Sequence, residues 1–515
     1  MNCDPFKQPR GRHSPDAAGA TEDQTSDGTV LTNCRKTKIV CTIGPVSADP
    51  EVLQQLAVAG MDVVRLNFSH GDQDSHLRVI QAVRRISRDL GREIGILQDL
   101  AGPKIRIGNL PVAERTLRAG EEVFLTAAVA STDATIPVNY PHLLEDVFEG
   151  EQILMADGLI DLRVEEKLGE RLRCRVVSGG TIQSHKGVNL PASNLRISAV
   201  TNKDLADLAF GLEQGVDFVA LSFVRHEDDL VPVRAMLDRS RPRPLLIAKI
   251  EKSQAVARLE QIMAEVDGLM VARGDLGVEM PLEEVPITQK KIIRTARQAG
   301  KPVITATQML LSMVTNPRPT RAEVTDVANA ILDGTDALML SDETTLGAHP
   351  VEAVAVLDRI ARSTEPYMDE QAFLNEAVTD FLPVTATAIS RAACWLAQDL
   401  RAAAIVASTS SGSTARLVAR FRPSCPVVAL TPELATQRQL SLSWGVIADL
   451  VQSFGTTDQM FALARSWALA KGIAATTDRL VITAGIPVGV SGTTNLVKVL
   501  ELARSLEPPD EEADK

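Results

Sequence analysis

Residues 245–279 read LLIAKIEKSQAVARLEQIMAEVDGLMVARGDLGVE and contain one complete strand–helix–strand unit. The runs LLIAKI and GLMVARG are short, apolar and bounded by charged residues or glycine, which predicts two buried strands. A helical segment separates them, and strands joined by a crossover helix lie parallel in a sheet. The stretch therefore predicts an α/β fold with a parallel sheet.

The same alternation extends along the chain in both directions. Further strands are predicted at TKIVCTIG (37–44), MDVVRLNFSHG (61–71), EIGILQDLAG (93–102), FVALSF (218–223), PVITAT (302–307) and ALMLSDE (337–343). Helices are predicted at 50–59, 73–90 and 202–214, the last ending before Gly215 as a left-handed cap. Three strands before residue 104 and five after residue 200 make eight, the count of a TIM barrel.

Three other segments flank or interrupt this barrel, which is predicted at 37–103 and 200–365. Residues 104–199 show short β-like runs with almost no helical period, which predicts a small inserted β-barrel acting as a lid. Residues 381–515 restart a β/α alternation after an acidic linker at 364–380 and are predicted to form a doubly wound α/β domain. Residues 1–36 are polar and predicted to be a disordered extension without a signal peptide.

Composition excludes several classes of protein. The chain has 515 residues, 45% apolar and 23% charged, with a net charge of −12. An acidic total argues against a nucleic-acid or anionic-membrane binder, and 3% aromatic residues leave little for base stacking. No apolar run is long enough to span a membrane. The six cysteines show no C-x-x-C spacing, so we expect no disulfides and a cytoplasmic location.

Charged side chains recur where the predicted barrel strands end, which is where barrel enzymes carry their sites. The two-residue period of a strand places Lys249 and Glu251 on the same side. Glu251 and Asp275 supply two hard oxygen ligands from neighbouring strands, as Mg²⁺ prefers. The alternative readings are a buried salt bridge for Lys249 and a helix N-cap for Asp275. Neither common nucleotide-binding glycine loop is present, so a nucleotide would need separate Arg and Lys contacts.

These motifs together resemble the pyruvate kinase family. The resemblance rests on TKIVCTIGP, GMDVVRLNFSHG, GPKIRIG, HKGVNLP, AKIE, DGLMVARGDLGVE, KPVITATQML, NPRPTRAEVTDVANAILDGTDALMLSDET and GTTN, in the family's order from about residue 37 onward. The block 249–343 is the most specific part, and GTTN alone is weak. The resemblance implies transfer of a phosphoryl group from phosphoenolpyruvate to ADP, giving pyruvate and ATP, with Mg²⁺ or Mn²⁺ and a homotetrameric assembly.

The resemblance also implies residue roles. Lys249 and Arg65 would contact the transferring phosphoryl group, and Glu251 and Asp275 would hold the divalent ion. The remaining implied positions are Ala272, Arg273 and Gly274, which would present backbone to the substrate carboxylate, Thr307 and Ser341 on the proton path, and Asn67, His70, Arg106, Lys186 and Asp157 on the nucleotide side.

One departure from the family concerns the monovalent cation. Many members hold K⁺ at the positions of Asn67, Ser69, Asp99 and Leu100, with Glu at the position of Lys104 and commonly Thr at that of Leu100. Lys104 brings its own positive charge, so we expect activity without K⁺; the alternative is that Lys104 is a solvated surface charge. Asp342 replaces an expected Gly and Leu346 a common Lys, which leaves that local loop in doubt.

A serine-rich stretch in the C-terminal segment ends a strand and opens a helix. It supplies Thr409, Ser410, Ser411, Gly412 and Thr414, groups suited to a phosphate at a helix N-terminus. A Ser-rich cap without a ligand is at least as good an interpretation. The family's effector site matches here, with residues 485–494 as the loop that closes it. A sugar phosphate such as fructose 1,6-bisphosphate, or AMP, would be the effector, and the absence of a response stays open.

Two rival functions share part of this pattern. Another barrel enzyme of phosphoenolpyruvate or pyruvate, such as a carbon–carbon lyase, would use Arg65, Glu251 and Asp275 but has no use for a lid, Arg106 and Lys186. A non-catalytic scaffold on the same fold would be expected to lose the lysine or a metal carboxylate, and both are present.

Overall fold

The structure, a computed structural model, describes residues 35–127, 135–376, 381–487 and 493–503. The first part of the barrel alternates strand and helix: β1 (Lys38–Thr42), α1 (Pro50–Ala59), β2 (Val63–Asn67), α2 (Gln73–Leu90) and β3 (Gly95–Leu100). Helix α1 begins with Asp49, whose side chain accepts from the Glu51 N–H. Both helices have the bounds that the apolar spacing predicts, because their buried residues recur every three or four positions.

The insertion contains strands and one short helix. They are β4 (Glu114–Leu117), β5 (Glu122–Thr126), β6 (Thr135–Pro137), α3 (Leu143–Asp146), β7 (Gln152–Met155), β8 (Ile160–Leu168), β9 (Arg171–Ser178), β10 (Gly180–Gln183) and β11 (Val188–Asn189). The strand order is β11-β7-β8-β9-β5-β6 in a six-stranded sheet, and β4 pairs with β10 in a second sheet. Both sheets contribute to one apolar core, so the insertion is the all-β unit that the sequence predicts.

The chain then completes the barrel with five strands and their helices. The elements are α4 (Asn202–Glu213), β12 (Phe218–Leu221), α5 (Val231–Leu237), β13 (Leu245–Ile250), α6 (Ser253–Ala257), α7 (Leu259–Glu265), β14 (Gly268–Ala272), α8 (Arg273–Glu279), α9 (Val285–Gln298), β15 (Val303–Ala306), α10 (Arg321–Leu332), β16 (Ala337–Leu340), α11 (Asp342–Thr345) and α12 (Pro350–Thr364). Helix α4 ends one residue before the predicted end, and Gly215 follows with φ +67°.

Eight parallel strands close the barrel in the order β1-β16-β15-β14-β13-β12-β3-β2. Strands β3 and β12 pair directly, although the whole insertion separates them in sequence. The residues of the barrel strands are buried on both faces. One apolar cluster lies inside the barrel, and another lies beneath the surrounding helices. The predicted TIM barrel is therefore confirmed, and the carboxyl ends of its strands share one mouth.

The C-terminal unit is a separate α/β layer structure. It contains α13 (Glu370–Leu374), α14 (Val384–Asp399), β17 (Ala404–Ser408), α15 (Ser413–Ala419), β18 (Val427–Thr431), α16 (Leu434–Gln439), β19 (Val446–Leu450), α17 (Thr457–Ala470), β20 (Arg479–Gly485) and β21 (Thr494–Glu501). The sheet order is β19-β18-β17-β20-β21, with β21 antiparallel to β20. Alternate residues of β17 belong to two different apolar clusters, so both faces of the sheet are covered, as a doubly wound fold requires.

The predicted N-terminal extension is corrected at its end. Residues 1–34 lie outside the described residues, but Arg35 and Lys36 belong to the folded chain. The Arg35 guanidinium is 2.9 Å from Asp62 and 3.0 Å from Asp358, and Lys36 N donates to Glu365 at 3.0 Å. A polar composition concealed these contacts because their partners come from distant parts of the sequence. No helix in the described ranges is long and apolar enough to cross a membrane.

Candidate active site

Lys249 lies at the end of β13, buried at the barrel mouth. Its Nζ is 2.8 Å from a Glu251 oxygen, 3.5 Å from Asp99 Oδ1 and 2.8 Å from Ser222 Oγ. Burial alone would lower the pKa of this ammonium, but Asp99 and Glu251 raise it above its usual value. Lys249 is therefore a permanently charged cation with little exposure to water.

Asp99 connects Lys249 to Arg65, the second cation of the mouth. Arg65 Nε donates to Asp99 Oδ2 at 2.7 Å, and Arg65 Nη1 donates to Thr42 Oγ1 at 2.9 Å. Burial opposes ionisation of Asp99, yet Lys249 and Arg65 lower its pKa below the usual range. The Asp99 carboxylate therefore holds the Lys249 ammonium and the Arg65 guanidinium in fixed orientations at the barrel mouth.

Glu251 is a buried carboxylate with an unusual backbone partner. One oxygen pairs with Lys249, and the other accepts from Phe223 N at 2.9 Å. Phe223 has φ +59°, a strained value for a bulky residue. In this conformation its N–H points to Glu251. Burial raises the pKa of Glu251, Lys249 opposes the rise and Asp275 adds to it. Glu251 and Asp275 are therefore close enough to repel each other, and a shared cation would relieve that repulsion.

The first turn of α8 lies against the end of β15. Gly274 N donates to Thr307 Oγ1 at 2.8 Å, and a Cβ on Gly274 would lie 3.4 Å from the same oxygen. Thr307 adopts φ +68°, which turns its hydroxyl toward this helix. The Arg273 guanidinium points elsewhere, to Asp326 at 2.6 Å and to the Thr307 carbonyl at 2.7 Å. Its side chain therefore braces the turn, and only its backbone remains available to a substrate.

Ser341 follows β16 and is held by the next turn. Its N–H donates to Glu343 at 2.8 Å, and the other Glu343 oxygen accepts from Leu310 N at 2.9 Å. Asp342 begins the short helix α11 and is exposed, so a side chain is accommodated where the family was expected to have glycine. Leu346 is 64% exposed and contributes nothing visible to the mouth.

A cleft of about 320 Å³ lies between the barrel mouth and the insertion. Four of the five predicted nucleotide-side residues line it together with Asp275 and Lys104: His70, Arg106, Asp157 and Lys186. Burial lowers the pKa of His70, and the positive charges of Lys104, Arg106 and Arg65 lower it further. Asn67 is not among the described residues lining this cleft; its Oδ1 accepts from Ser69 N at 3.1 Å.

The monovalent-cation positions surround the mouth without forming one continuous set of free oxygens. The Leu100 side chain is buried in the barrel core, and its carbonyl accepts from Ser222 Oγ at 2.9 Å. The Asp99 oxygens pair with Arg65 and Lys249. Burial lowers the pKa of Lys104, and repulsion from Arg106 and Lys249 lowers it further.

An ion pair at the cleft was not recognised from the sequence. Lys252 pairs with Glu279 of α8, and both side chains are almost fully buried. Asn189 Nδ2, in β11 of the insertion, is 3.2 Å from the same Glu279 oxygen. The charge of Lys252 directly after AKIE was the available signal, but its partner lies 27 residues away. This group joins the insertion to the barrel mouth.

The predicted effector residues are brought together at the start of α15. Gly412 has φ +79° and its N–H donates to Thr409 Oγ1 at 2.9 Å. Ser411 Oγ lies 3.1 Å from Ser413 Oγ, and Thr414 Oγ1 lies 2.9 Å from Thr494 Oγ1. The Ser410 carbonyl accepts from Thr436. Residues 488–492 of the predicted closing loop lie outside the described residues.

This architecture is that of a TIM-barrel enzyme, with its charged site at the strand ends beneath an all-β insertion. The family model described as pyruvate kinase, barrel domain, matches residues 34–354, and the one described as pyruvate kinase, alpha/beta domain, matches residues 387–500. The chain belongs to the pyruvate kinase family.

Curated relatives are similar in sequence to this chain over nearly its whole length. Pyruvate kinase of Geobacillus stearothermophilus is 46% identical over 90% of this chain and 80% of its own length. Pyruvate kinase 2 of a Synechocystis strain is 48% identical over 90% of this chain and 79% of its own. Pyruvate kinase of Clostridium perfringens is 43% identical over 90% of this chain and 99% of its own. The resemblance read from the motifs is confirmed at the level of the family.

Proposed function

We propose that this chain is a pyruvate kinase that transfers the phosphoryl group of phosphoenolpyruvate to ADP, giving pyruvate and ATP. The observation that carries the proposal is the clustering of Lys249, Arg65, Glu251 and Asp275 beside one cleft. Phosphoryl transfer depends mainly on positioning and on neutralising the charge of the phosphoryl oxygens. Two fixed cations and a pair of metal-binding carboxylates supply both requirements.

Lys249 and Arg65 would contact the transferring phosphoryl group. Asp99 holds both side chains, so their donors need no reorganisation when the substrate arrives. Ala272 and Gly274 would present backbone to the substrate carboxylate, since the absence of a side chain on Gly274 leaves room for close approach. Arg273 would serve the same turn through its ion pair with Asp326.

Thr307 and Ser341 would serve the proton transfer that converts the enolate to pyruvate. The Thr307 hydroxyl is placed at the mouth by the Gly274 N–H and the Ala306 carbonyl, at 2.8 and 2.7 Å. Ser341 follows the neighbouring strand β16 and is partly exposed, with Glu343 fixing its backbone. A water molecule held by Ser341 would supply the proton to the methylene carbon near Thr307.

The residues fit a divalent ion, Mg²⁺ or Mn²⁺, held by Glu251 and Asp275. The described residues contain no group of three or more potential His, Cys, Asp or Glu ligands, so the protein offers two carboxylates and leaves the other positions to substrate and water. Burial raises the pKa of Glu251 and repulsion by Asp275 adds to the rise, and a divalent ion held by both carboxylates would relieve that repulsion. When bound, that ion would neutralise negative charge on the substrate oxygens.

The nucleotide would occupy the cleft beneath the insertion. Arg106 and Lys186 would neutralise its phosphates, with His70 and Asp157 beside them and Asn67 at the neighbouring strand end. Arg106 Nη1 donates to the His185 carbonyl at 2.8 Å, which orients the guanidinium along the cleft wall. A lid over the cleft excludes water as a competing acceptor.

We further propose that Lys104 replaces K⁺. The Lys104 side chain is exposed at the edge of the cleft, and its ammonium is repelled by Arg106 and Lys249 and attracted by Asp275 and Asp99, so its charge contributes to the field at the mouth. The coordinating set at Asn67, Ser69, Asp99 and Leu100 is weakened here, because the Leu100 carbonyl and the Asp99 oxygens already have partners. The exposure of Lys104 is also what the solvated-surface interpretation expects, so the K⁺ dependence of the rate decides between the two.

Regulation by a phosphorylated effector at residues 409–414 is part of the proposal. The left-handed Gly412 starts α15, whose first turn has no side-chain cap and lies beside several hydroxyls. Thr414 joins this turn to Thr494, the last residue of the predicted closing loop. The proposed domain limits are 37–103 with 200–365, 104–199 and 381–515. A cytoplasmic homotetramer remains a prediction of the family resemblance.

The test is whether phosphoenolpyruvate and ADP are converted to pyruvate and ATP in equal amounts. Pyruvate is followed by NADH oxidation with lactate dehydrogenase, and ATP by luciferase, in buffers whose only monovalent cation is tetramethylammonium or K⁺. The proposal expects ADP-dependent formation of both products, at similar rates in the two buffers. Formation of pyruvate without ATP, or a requirement for a substrate whose carbon–carbon bond is cleaved, would favour the lyase alternative. A K⁺ requirement would overturn only the proposed role of Lys104.

A further inference from the structure

A second, smaller cavity lies at the opposite end of the barrel from the active site. Its volume is about 10 Å³, and it is bordered by the residues that precede β15 and β16 and by α15 of the C-terminal unit. Because the barrel strands are parallel, the starts of β15 and β16 lie at the amino-terminal end. The cavity therefore belongs to the junction between barrel and C-terminal unit and is separate from the substrate cleft.

Five cations line this cavity, and carboxylates balance two of them. Arg297 is 2.8 Å from Glu376, and Arg422 is 3.1 Å from Asp336. The remaining three are Lys301, Arg416 and Arg420. None of the three has a carboxylate within ion-pairing distance in the described ranges.

The unbalanced cations donate to backbone carbonyls instead. Lys301 Nζ donates to the Met263 and Val266 carbonyls, both at 2.6 Å. Arg420 Nη1 donates to the Gln298 carbonyl at 2.7 Å, and Arg416 Nη2 to the Ser411 carbonyl at 2.9 Å. A carbonyl satisfies a donor but carries no net charge, so an excess of positive charge stays at the junction.

Two of these arginines have lowered pKa values. Burial lowers the pKa of Arg420 to about 10, and repulsion by Arg391 and Arg297 contributes to the fall. Burial also lowers the pKa of Arg416, with Asp267 opposing. Asp267 is itself paired with Arg243 at 2.7 Å, so it does not neutralise the group. Buried cations in this position require a counter-charge or carry an energetic cost.

Several polar atoms of the lining residues have no hydrogen-bond partner in the protein. They are Arg297 Nε, Arg416 Nη1, Arg420 Nε, Arg422 Nε and Ser443 Oγ. The four guanidinium atoms only donate, and a hydroxyl can donate as well. A water molecule among donors leaves its own hydrogens without acceptors, whereas an anion accepts from every side.

We propose that this cavity binds one monatomic anion, a halide such as chloride, between the barrel and the C-terminal unit. A volume of about 10 Å³ holds a single water-sized particle and excludes a phosphate ester. The anion supplies the counter-charge that Lys301, Arg416 and Arg420 lack. Arg416 also contacts Ser411, so one guanidinium adjoins both the anion and the loop at residues 409–414.

The direct test is a crystal of the full chain grown in sodium bromide in place of chloride. An anomalous bromine peak bordered by Arg416, Arg420 and Ser443 is the expected result. A water molecule in the cavity, without anomalous signal at saturating bromide, would overturn the proposal.

Solution measurements separate a built site from a general salt effect. At constant ionic strength, stepwise replacement of gluconate by chloride should raise the Tm of the wild-type chain along a saturating curve. Arg416→Gln should raise the chloride midpoint by about tenfold or more, since it removes a charged donor. Arg438→Gln breaks a different ion pair across the same junction, to Glu93 at 2.8 Å, and should keep the wild-type midpoint.

A further variant guards against loss of folding. Ser443→Ala keeps every charge and removes one donor, so it should fold and bind chloride more weakly than the wild type. A non-saturating Tm rise shared by all four proteins would contradict the proposal. A bromine peak without a saturating Tm rise would mark an adventitious ion only, which contradicts it as well.

Discussion

Replacing Lys249 with methionine removes a cation that is only 9% exposed and lies between two carboxylates. At an effective dielectric of ~20, two unit charges ~4 Å apart interact by about 4 kcal/mol. A fixed donor at a developing anionic charge contributes ~3–4 kcal/mol by mutagenesis, about 10²–10³ in rate. We therefore expect Lys249→Met to lower kcat by at least about 10²-fold, because among the described residues only Lys249 forms an ion pair with both Asp99 and Glu251.

The assay is the rate of pyruvate formation at saturating phosphoenolpyruvate, ADP and divalent ion. Lys290→Met is the matched control, since Lys290 lies on the outer helix α9, is half exposed and pairs with Asp333. Tm and circular dichroism of each variant establish that the chain is folded. A folded Lys249→Met enzyme with kcat within a few-fold of wild type would refute the electrostatic role given to Lys249.

Three other predictions follow from contacts near the mouth and the barrel base. Lys104→Glu should create a requirement for K⁺ and raise the pKa of His70, because a repelling charge becomes an attracting one; K⁺ titrations of the rate and NMR titration of His70 measure the two effects. Glu279→Leu should cost about 3–5 kcal/mol of stability by leaving Lys252 buried without its partner, as chemical denaturation would show. Burial opposes ionisation of Asp62, but neighbouring cations lower its pKa, so its contribution is present above the unfolded pKa of about 3.9 and is lost as pH falls through the lower folded value. Asp62→Asn should therefore reduce stability at pH ~7 and flatten its loss at acid pH, measured by urea unfolding across pH; unchanged curves would contradict the assignment.

The regular part of this molecule was readable from the sequence because it follows local rules. The apolar runs and their helical spacers predicted eight strands, and the bounds of α1 and α2 agree with the pattern. The two-residue period of a strand correctly predicted that Lys249 and Glu251 lie together. Residues that end parallel strands converge whatever their identity, so the location of the site followed from the fold.

The remaining features depend on contacts between distant segments. The Phe223 N–H reaches Glu251 only because Phe223 adopts a left-handed conformation, which nothing in its side chain favours. The Arg273 side chain turns to Asp326, 53 residues further on, and no local pattern indicates that contact. The fold of Arg35 against Asp62 and Asp358 was hidden for the same reason.

The most direct measurement of the central claim is a ³¹P NMR time course of the purified chain with phosphoenolpyruvate, ADP and Mg²⁺. The account predicts that the phosphoenolpyruvate resonance decays while the γ-phosphate resonance of ATP grows by the same amount, and that the folded Lys249→Met variant leaves both nearly unchanged. Growth of inorganic phosphate in place of ATP, or an unchanged phosphoenolpyruvate signal with the folded wild-type chain, would contradict it.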